Sequence, residues 1–214
     1  MLLAWQWLDS AFPTGGFAHS NGLEAAWQYG EVRGSSELAA FTRATLDQAT
    51  YASVPWLVAA WDDPSQLPFL DEACDVLLLN HVANRASRLQ GQALWNSTRR
   101  VFQPTPTHAW PTKPDFLHQA PVFGALSRII GLDRSIAVHG FLFQQVRSVL
   151  SSAVRLGVTG PLDAQRLQSQ LAPTIASAAS QGATLKISDA AQTSPLLEVW
   201  QGAPDRLYSR LFQS

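Results

Sequence analysis

The pair Gly15-Gly16, close to the start of the chain, is the first feature whose residue types could carry chemistry. A phosphate-binding loop of the GxxxxGK[ST] type needs a lysine after the last glycine, and here Phe17 follows. A dinucleotide-binding loop needs a preceding strand, whereas LLAWQWLDS has helical periodicity. We therefore interpret the segment as a tight turn in which glycine supplies a positive φ, with two phenylalanines as apolar anchors. The predicted turn residues are Phe12, Pro13, Gly15, Gly16 and Phe17.

Side chains that bind metals or act as nucleophiles are too scattered along the chain to predict an active site. None of the five histidines pairs with another at helical spacing, so no dedicated metal site is expected. Cys74 is the lone cysteine and lies in the apolar run DEACDVLLL, which predicts a small buried side chain. Asp62-Asp63 lacks the third carboxylate of a DDxxD magnesium motif. The sequence therefore predicts no stably bound cofactor and no catalytic residue.

The charges are unevenly distributed along a chain whose net charge is only −1. Residues 1–80 hold ten acidic and two basic side chains, whereas residues 81–160 hold two acidic and nine basic ones. The near-zero net charge and the acidic first third argue against a nucleic-acid or membrane partner. Arg85, Arg88 and Gln90 fall on one predicted helix, where they would read acidic groups on a partner protein or form internal salt bridges.

The elements that position these residues are predicted to be helical almost throughout. Asn21 and Glu24 have the spacing of a capping box for a helix that Gly30 stops. Pro55 should kink or end the next helix, and residues 69–102 read as one long helical stretch. The segment PTPTHAWPTKP is too rich in proline for regular structure.

No stretch has the period-two alternation of a strand, and no repeat of fixed period is present. With 214 residues, 46% of them hydrophobic, the chain is large enough for one sizeable core. We predict an all-α fold, with residues 1–214 forming a single-domain bundle of roughly seven to ten helices. No segment reads as a signal peptide or a membrane span, which makes a cytoplasmic location the expectation.

The C-terminal segment, DRLYSRLFQS, is the second feature of interest. Chain ends are usually polar and disordered, yet this one crowds aromatic, basic and aliphatic side chains together. Such a segment docks either on its own core or on a partner, and the enrichment of Tyr and Arg in binding hot spots favours the partner. We predict that residues 203–214 form a partner-binding tail. Its contact residues would be Tyr208, Ser209, Arg210, Leu211 and Phe212.

Five motifs in this order resemble the UreF family of urease accessory proteins over essentially the whole chain. They are DSAFPTGGFAHSNGLEAA, NRASRLQGQALW, HQAPVFGAL, VRLGVTG and LYSRLFQS. The resemblance implies an all-helical homodimer without enzyme activity of its own. It also implies binding to the accessory protein UreD (also called UreH) and recruitment of the GTPase UreG to apo-urease, where nickel delivery depends on GTP hydrolysis. Nickel would then be handled by the complex.

The resemblance further implies that the tail becomes ordered when it binds UreD, with Arg210 as its hydrogen-bonding anchor. The chain departs from the family pattern just before the tail, where Ala203-Pro204-Asp205 replaces a frequent His-Glu pair, and Gln213 replaces a basic residue. Alternatives to the scaffold are a helical nickel carrier, an unrelated all-α adaptor and an all-α enzyme with the proline-rich segment as a lid. His19 and Ser20 are further candidates for polar contacts with a partner.

Overall fold

The computed structural model describes residues 1–213, and this part of the chain is helical and contains no strand. The all-α prediction is therefore confirmed, with ten α-helices in the described part of the chain. They are α1 (Leu2–Leu8), α2 (Leu23–Gln28), α3 (Ser35–Ala52), α4 (Val54–Asp62), α5 (Leu67–Leu77), α6 (His81–Val101), α7 (Gln119–Ile129), α8 (Arg134–Arg155), α9 (Pro161–Gly182) and α10 (Pro195–Gly202). Short 3₁₀ helices span Gly16–Ala18, Pro64–Gln66, Ile187–Asp189 and Pro204–Arg206.

Proline and glycine set several helix boundaries, among them the one predicted at Pro55. Pro55 lies in the first turn of α4, directly after α3 ends, because a proline there gives up only an amide that has no helical partner. Pro161 opens α9 in the same way. Gly157 follows the end of α8 with φ of 73°, a left-handed conformation that favours glycine.

The stretch predicted as one helix over residues 69–102 is two helices, α5 and α6, separated at residues 78–80. Asn80 makes the break possible because its side-chain oxygen accepts hydrogen bonds from the backbone N–H groups of Val82 and Ala83, at 3.1 and 3.2 Å. Asparagine is a strong N-cap residue, so α6 begins as a new helix with its first amides satisfied. The apolar periodicity on both sides of Asn80 hid this break.

The predicted capping box of Asn21 and Glu24 is wrong. Gly22 occupies the N-cap of α2 with φ of 85°, and the hydroxyl of Ser20, not the side chain of Asn21, accepts the backbone N–H of Glu24 at 3.4 Å. A Cβ on Gly22 would lie 2.8 Å from the backbone of α10, so the close approach of the two helices also requires glycine. Glu24 is thereby free to use its carboxylate elsewhere.

The core is centred on α7, whose side chains are almost all buried. Helices α4 and α7 pack with their backbones close together, since a Cβ on Gly124 would lie 2.0 Å from the carbonyl oxygen of Leu57. The rings of Trp7, Phe123 and Phe141 form a continuous aromatic row through this core, with centroid separations of 4.5 and 5.2 Å. One hydrophobic cluster connects residues from α1 to α10.

Candidate functional site

The C-terminal tail, residues 203–213 of the described chain, docks onto residues 16–28, which we call the tail seat. The backbone N–H of Leu211 donates to Glu24 Oε1 at 2.6 Å, and that of Phe212 donates to Glu24 Oε2 at 3.1 Å. Further along, the N–H of Gln213 donates to the carbonyl oxygen of Ala18 at 2.8 Å. Gln28 completes the set by donating its side-chain amide to the carbonyl oxygen of residue 209, at 2.9 Å. Seat and tail are therefore joined along the backbone of the tail.

An arginine from α8 holds the end of the tail to the glycine turn. The guanidinium of Arg155 lies between two rings, 3.7 Å from the centroid of Phe17 and 4.2 Å from that of Phe212. It also donates to the carbonyl oxygen of Phe17. Phe212 itself is buried, whereas the ring of Phe17 is 72% exposed. Phe17, which was predicted as an apolar anchor of the turn, therefore lies at the surface, where its ring stacks on a cation.

The glycine turn lies directly before this stack. Gly15 has φ of 74° and caps the 3₁₀ helix Gly16–Ala18, whereas Gly16 lies within that helix without a positive φ. Phe12 is buried against Phe102, with ring centroids 5.7 Å apart. The carbonyl oxygen of Pro13 accepts a hydrogen bond from the side chain of Ser97 in α6, at 2.9 Å. The turn is therefore fixed on both sides, and it orients residues 16–28 as the seat.

His19 and Ser20, which the sequence suggested as contacts for a partner, lie inside the protein. His19 is 3% exposed and Ser20 is completely buried. Burial, reinforced by the positive charge of Arg85, lowers the pKa of His19 from 6.5 to about 4. The imidazole is consequently neutral near pH 7. Neither side chain can meet a partner while the tail and seat keep this arrangement.

Asp205 connects the tail to α6 through Arg85 and His81, and it also pairs with Arg210 of the tail itself. Its carboxylate lies 2.9 Å from Arg85, 3.1 Å from Arg210 and 3.3 Å from His81. The hydrogen bond from Arg85 is the largest cause that lowers the pKa of Asp205 below its usual range, with further contributions from Arg210 and His81. The departure from the family pattern at residues 203–205 thus supplies an ion-pair network of the chain's own.

The three residues predicted to form one partner-binding face on α6, namely Arg85, Arg88 and Gln90, have different contacts. Arg85 forms the internal salt bridge to Asp205 that the sequence analysis left as its alternative. Gln90 accepts a hydrogen bond from the side chain of Gln119 at 3.0 Å. Arg88 is exposed and lies over the ring of Phe116, 5.1 Å from its centroid. Of the three, Arg88 is the side chain directed to the surface with no carboxylate within 4.0 Å in the described part of the chain.

The docked tail divides its predicted contact residues into an inner and an outer set. Phe212 faces the seat, together with the buried Pro204 at the start of the last 3₁₀ helix. The outer set is exposed and consists of Tyr208, Ser209, Arg210 and Leu211. Among these, Tyr208 is fully exposed and Leu211 is 56% exposed. The tail therefore docks on its own chain and still presents an outward face.

A buried polar cluster before α7 was missed by the sequence analysis. The carboxylate of Asp71, completely buried, accepts the backbone N–H groups of Phe116, Leu117 and His118 at 2.6 to 2.9 Å. Leu117 adopts φ of 62°, an unusual value for a residue with a side chain. The only sequence signal was an aspartate within an otherwise apolar helix face, which is too weak to identify its partners. Asp71 fixes the path of the chain into α7.

His118 in the same cluster bridges two side chains. Its Nε2 lies 3.0 Å from Asp75 Oδ1, and its Nδ1 lies 3.1 Å from the hydroxyl of Ser87. Although partial burial opposes it, hydrogen bonds from Asn84 and His118 lower the pKa of Asp75. Serine, histidine and aspartate also form hydrolytic triads, but here the Ser87 hydroxyl accepts the backbone N–H of residue 119 at 3.1 Å and the imidazole is fully buried. The geometry is that of a network that holds the start of α7.

Metal-binding and nucleophilic chemistry find little support in residues 1–213. No group of three or more His, Cys, Asp or Glu side chains in this range could hold a metal ion. Burial, followed by the negative charges of Asp71 and Asp75, raises the pKa of Cys74 to about 12. The thiol is therefore protonated at neutral pH, which disfavours attack on a substrate.

Sequence comparison with known proteins identifies relatives of this chain. Residues 32–172 match the family model described as UreF. Urease accessory protein F of Arabidopsis thaliana is 36% identical over 98% of this chain and 91% of its own length. This chain belongs to the UreF family. The urease accessory protein F of Oryza sativa subsp. indica is also 36% identical, over 97% of this chain and 83% of its own. UreF of Granulibacter bethesdensis is 29% identical over 97% and 91%.

In this UreF-family chain the seat and the tail both lie outside residues 32–172, the range of the family model. Alignments with the relatives nevertheless cover nearly all of the chain. None of the helices in the described range is long and apolar enough to cross a bilayer.

Proposed function

We propose that this chain is a non-enzymatic urease accessory protein that serves as a scaffold in urease maturation. It would hold UreD and the GTPase UreG on apo-urease, so that nickel delivery depends on GTP hydrolysis. Membership in the UreF family and the names of its relatives, which are urease accessory proteins, support the role in maturation.

The observation that carries the proposal is the docked tail with an exposed outer face. Tyr208, Arg210 and Leu211 face outward, while Phe212 and the backbone bind the seat. We assign this outer face to UreD. A partner that meets a docked tail does not have to order it first, which lowers the entropic cost of association. Tyrosine and arginine are also enriched among residues that dominate binding energy.

Coupling to the GTPase places a thermodynamic requirement on the scaffold. Hydrolysis can drive release only if the complex binds the GTP-bound and GDP-bound forms of UreG with different affinities. The scaffold would therefore bind the GTP-bound and GDP-bound forms of UreG with different affinities. We propose in addition that the chain is a cytoplasmic homodimer. Light scattering of the purified protein measures the dimer, and titration with UreG in each nucleotide state measures the difference.

The decisive experiment replaces outward tail residues without disturbing the seat. Tyr208→Ala combined with Leu211→Ala should abolish co-purification with UreD and reduce urease activation in a reconstituted system. Leu162→Ala is the control, because Leu162 is an exposed leucine on α9, outside both the tail and the seat. Undiminished binding of UreD by the tail variant would refute the assignment. Tight stoichiometric nickel binding by the isolated chain would instead favour the nickel carrier.

A further inference from the structure

A groove between α6 and residues 113–117 adjoins the tail through His81 and Arg85, which contact Asp205, but it does not include the outer tail face used in the function proposed above. It has a volume of about 770 Å³. Its lining includes apolar, cationic and neutral amide side chains and one carboxylate. The apolar ones are Leu79, which is 89% exposed, Leu89 and Phe116, and the cationic ones include Arg88 and Lys113. We call it the α6 groove.

The α6 groove carries more cationic than anionic side chains, and two of the cations have no ion pair in the described part of the chain, although the carboxylate of Asp75 interacts with Arg88 at longer range. Among residues 1–213, neither Arg88 nor Lys113 has a carboxylate within the 4.0 Å of an ion pair. Arg88 instead lies over Phe116, where stacking on a ring fixes the guanidinium but leaves its N–H groups available. Asp115 is the carboxylate that lines the groove. Arg85 adds further positive charge, which its ion pair with Asp205 offsets.

We propose that the α6 groove binds an acidic, amphipathic segment of a partner protein. Glutamate or aspartate side chains would pair with Arg88 and Lys113, and apolar side chains between them would cover Leu79 and Leu89. Charge complementarity of this kind selects the partner and speeds its association. The apolar residues and Asp115 favour a peptide over a nucleic acid, which would present a continuous row of phosphates to the groove. The inference rests on the proposed scaffold role only for the origin of the segment, an assembly partner.

The groove can be tested directly with a fluorescein-labelled peptide of alternating leucine and glutamate, followed by fluorescence anisotropy. We expect the full chain to bind this peptide more tightly than its leucine–glutamine counterpart, and binding should weaken as salt is added. The double variant Arg88→Glu with Lys113→Glu should weaken binding by about tenfold or more. Arg43→Glu is the control, because Arg43 is an exposed arginine on α3 outside the groove.

A charge-reversed peptide of leucine and lysine tests whether the double variant is still folded. A folded groove of reversed charge should bind this peptide better than the unsubstituted chain does. The inference is overturned if the glutamate peptide binds no better than the glutamine peptide, or if the double variant and Arg43→Glu behave alike. It is also overturned if a single-stranded oligonucleotide displaces the peptide at lower concentration than unlabelled peptide does.

The outcomes separate this inference from the proposed function. If UreD and UreG assemble with the chain but the glutamate peptide does not bind, the groove inference alone fails. If the peptide binds the groove while the unsubstituted chain assembles with neither UreD nor UreG, the proposed function alone fails. Assembly that is lost in Arg88→Glu with Lys113→Glu, and retained in Arg43→Glu, supports both.

Discussion

Glu24 and Phe212, 188 positions apart in the sequence, are joined by a hydrogen bond of 3.1 Å from the backbone N–H of Phe212 to the buried carboxylate of Glu24. The second oxygen of the same carboxylate accepts the N–H of Leu211. A single side chain near the start of the chain thus satisfies two consecutive amides near its end. This pairing makes the attachment of the tail a property that substitutions can test.

Replacing the carboxylate should loosen the tail. Glu24→Gln keeps one acceptor oxygen but directs an amide N–H₂ group at a backbone N–H, which removes a charge-assisted hydrogen bond worth about 1.5–3 kcal/mol. We expect faster amide exchange at residues 211–213 and faster proteolysis of the tail. Glu31→Gln, at an exposed position just after α2, should leave both rates unchanged. Equal exchange in the two variants would show that Glu24 does not hold the tail.

Two neighbouring tail residues should give different phenotypes. Phe212→Ala removes a buried ring and its contact with Arg155, so the tail should leave the seat and its amides should lose protection from exchange. Leu211→Ala truncates an exposed side chain and should leave that protection intact, while weakening the binding of UreD. Exchange measured by mass spectrometry, together with a UreD pull-down, distinguishes the two. If Phe212→Ala left exchange unaltered, the ring would not anchor the tail.

Two glycines in the core should tolerate no side chain. A Cβ at Gly91 would lie 1.9 Å from the carbonyl oxygen of Leu117, and one at Gly124 would lie 2.0 Å from that of Leu57. Backbone must move in each case, so we expect alanine at either position to lower the free energy of unfolding by about 3 kcal/mol or more. Gly202→Ala in α10 makes ordinary contacts and should cost less than about 0.5 kcal/mol. Urea denaturation provides the comparison, and similar midpoints for all three variants would contradict it.

The buried imidazole of His19 should make stability fall in mild acid. Its pKa is about 4 in the folded chain and near 6.5 when unfolded, so the unfolded state binds more protons between these values. The contribution is fully present above pH 6.5 and is lost as the pH falls toward 4. Through this single group, the free energy of unfolding can fall by at most about 1.4 kcal/mol per pH unit. Denaturation of His19→Asn should show a shallower decline over this window, and an unchanged slope would assign the effect to other groups.

The fold could be predicted from sequence because its signals are local. Pro55, Gly157 and Pro161 mark helix boundaries through backbone restrictions that hold in any context. The break at Asn80 was not predicted, because apolar residues continue across it. The hydrogen bonds that cap α6 at Asn80 form only in the folded chain. The prediction for Glu24 failed because a local motif was inferred that does not form. Its spacing from Asn21 fits a local motif, but a tertiary partner took the carboxylate.

The site was harder to predict because its contacts join distant parts of the chain. The sequence indicated that the turn at Gly15 and the tail both mattered, yet nothing local indicated that they meet. No local pattern indicated a role for Arg155, although it lies between Phe17 and Phe212. The partners of Asp71 lie 45 to 47 positions away. A single sequence does not encode such pairings in any periodic pattern.

The long separation between Glu24 and Phe212 has a consequence for the order of events during protein synthesis. At about 5–20 residues per second, the ribosome needs roughly 10–40 s to add the 188 positions that separate them. Throughout this interval residues 16–28 have left or are leaving the ribosome without the segment that covers them. The nascent chain therefore displays an unoccupied carboxylate and an open apolar contact to every other molecule nearby, and the tail must compete for its own position when it finally emerges.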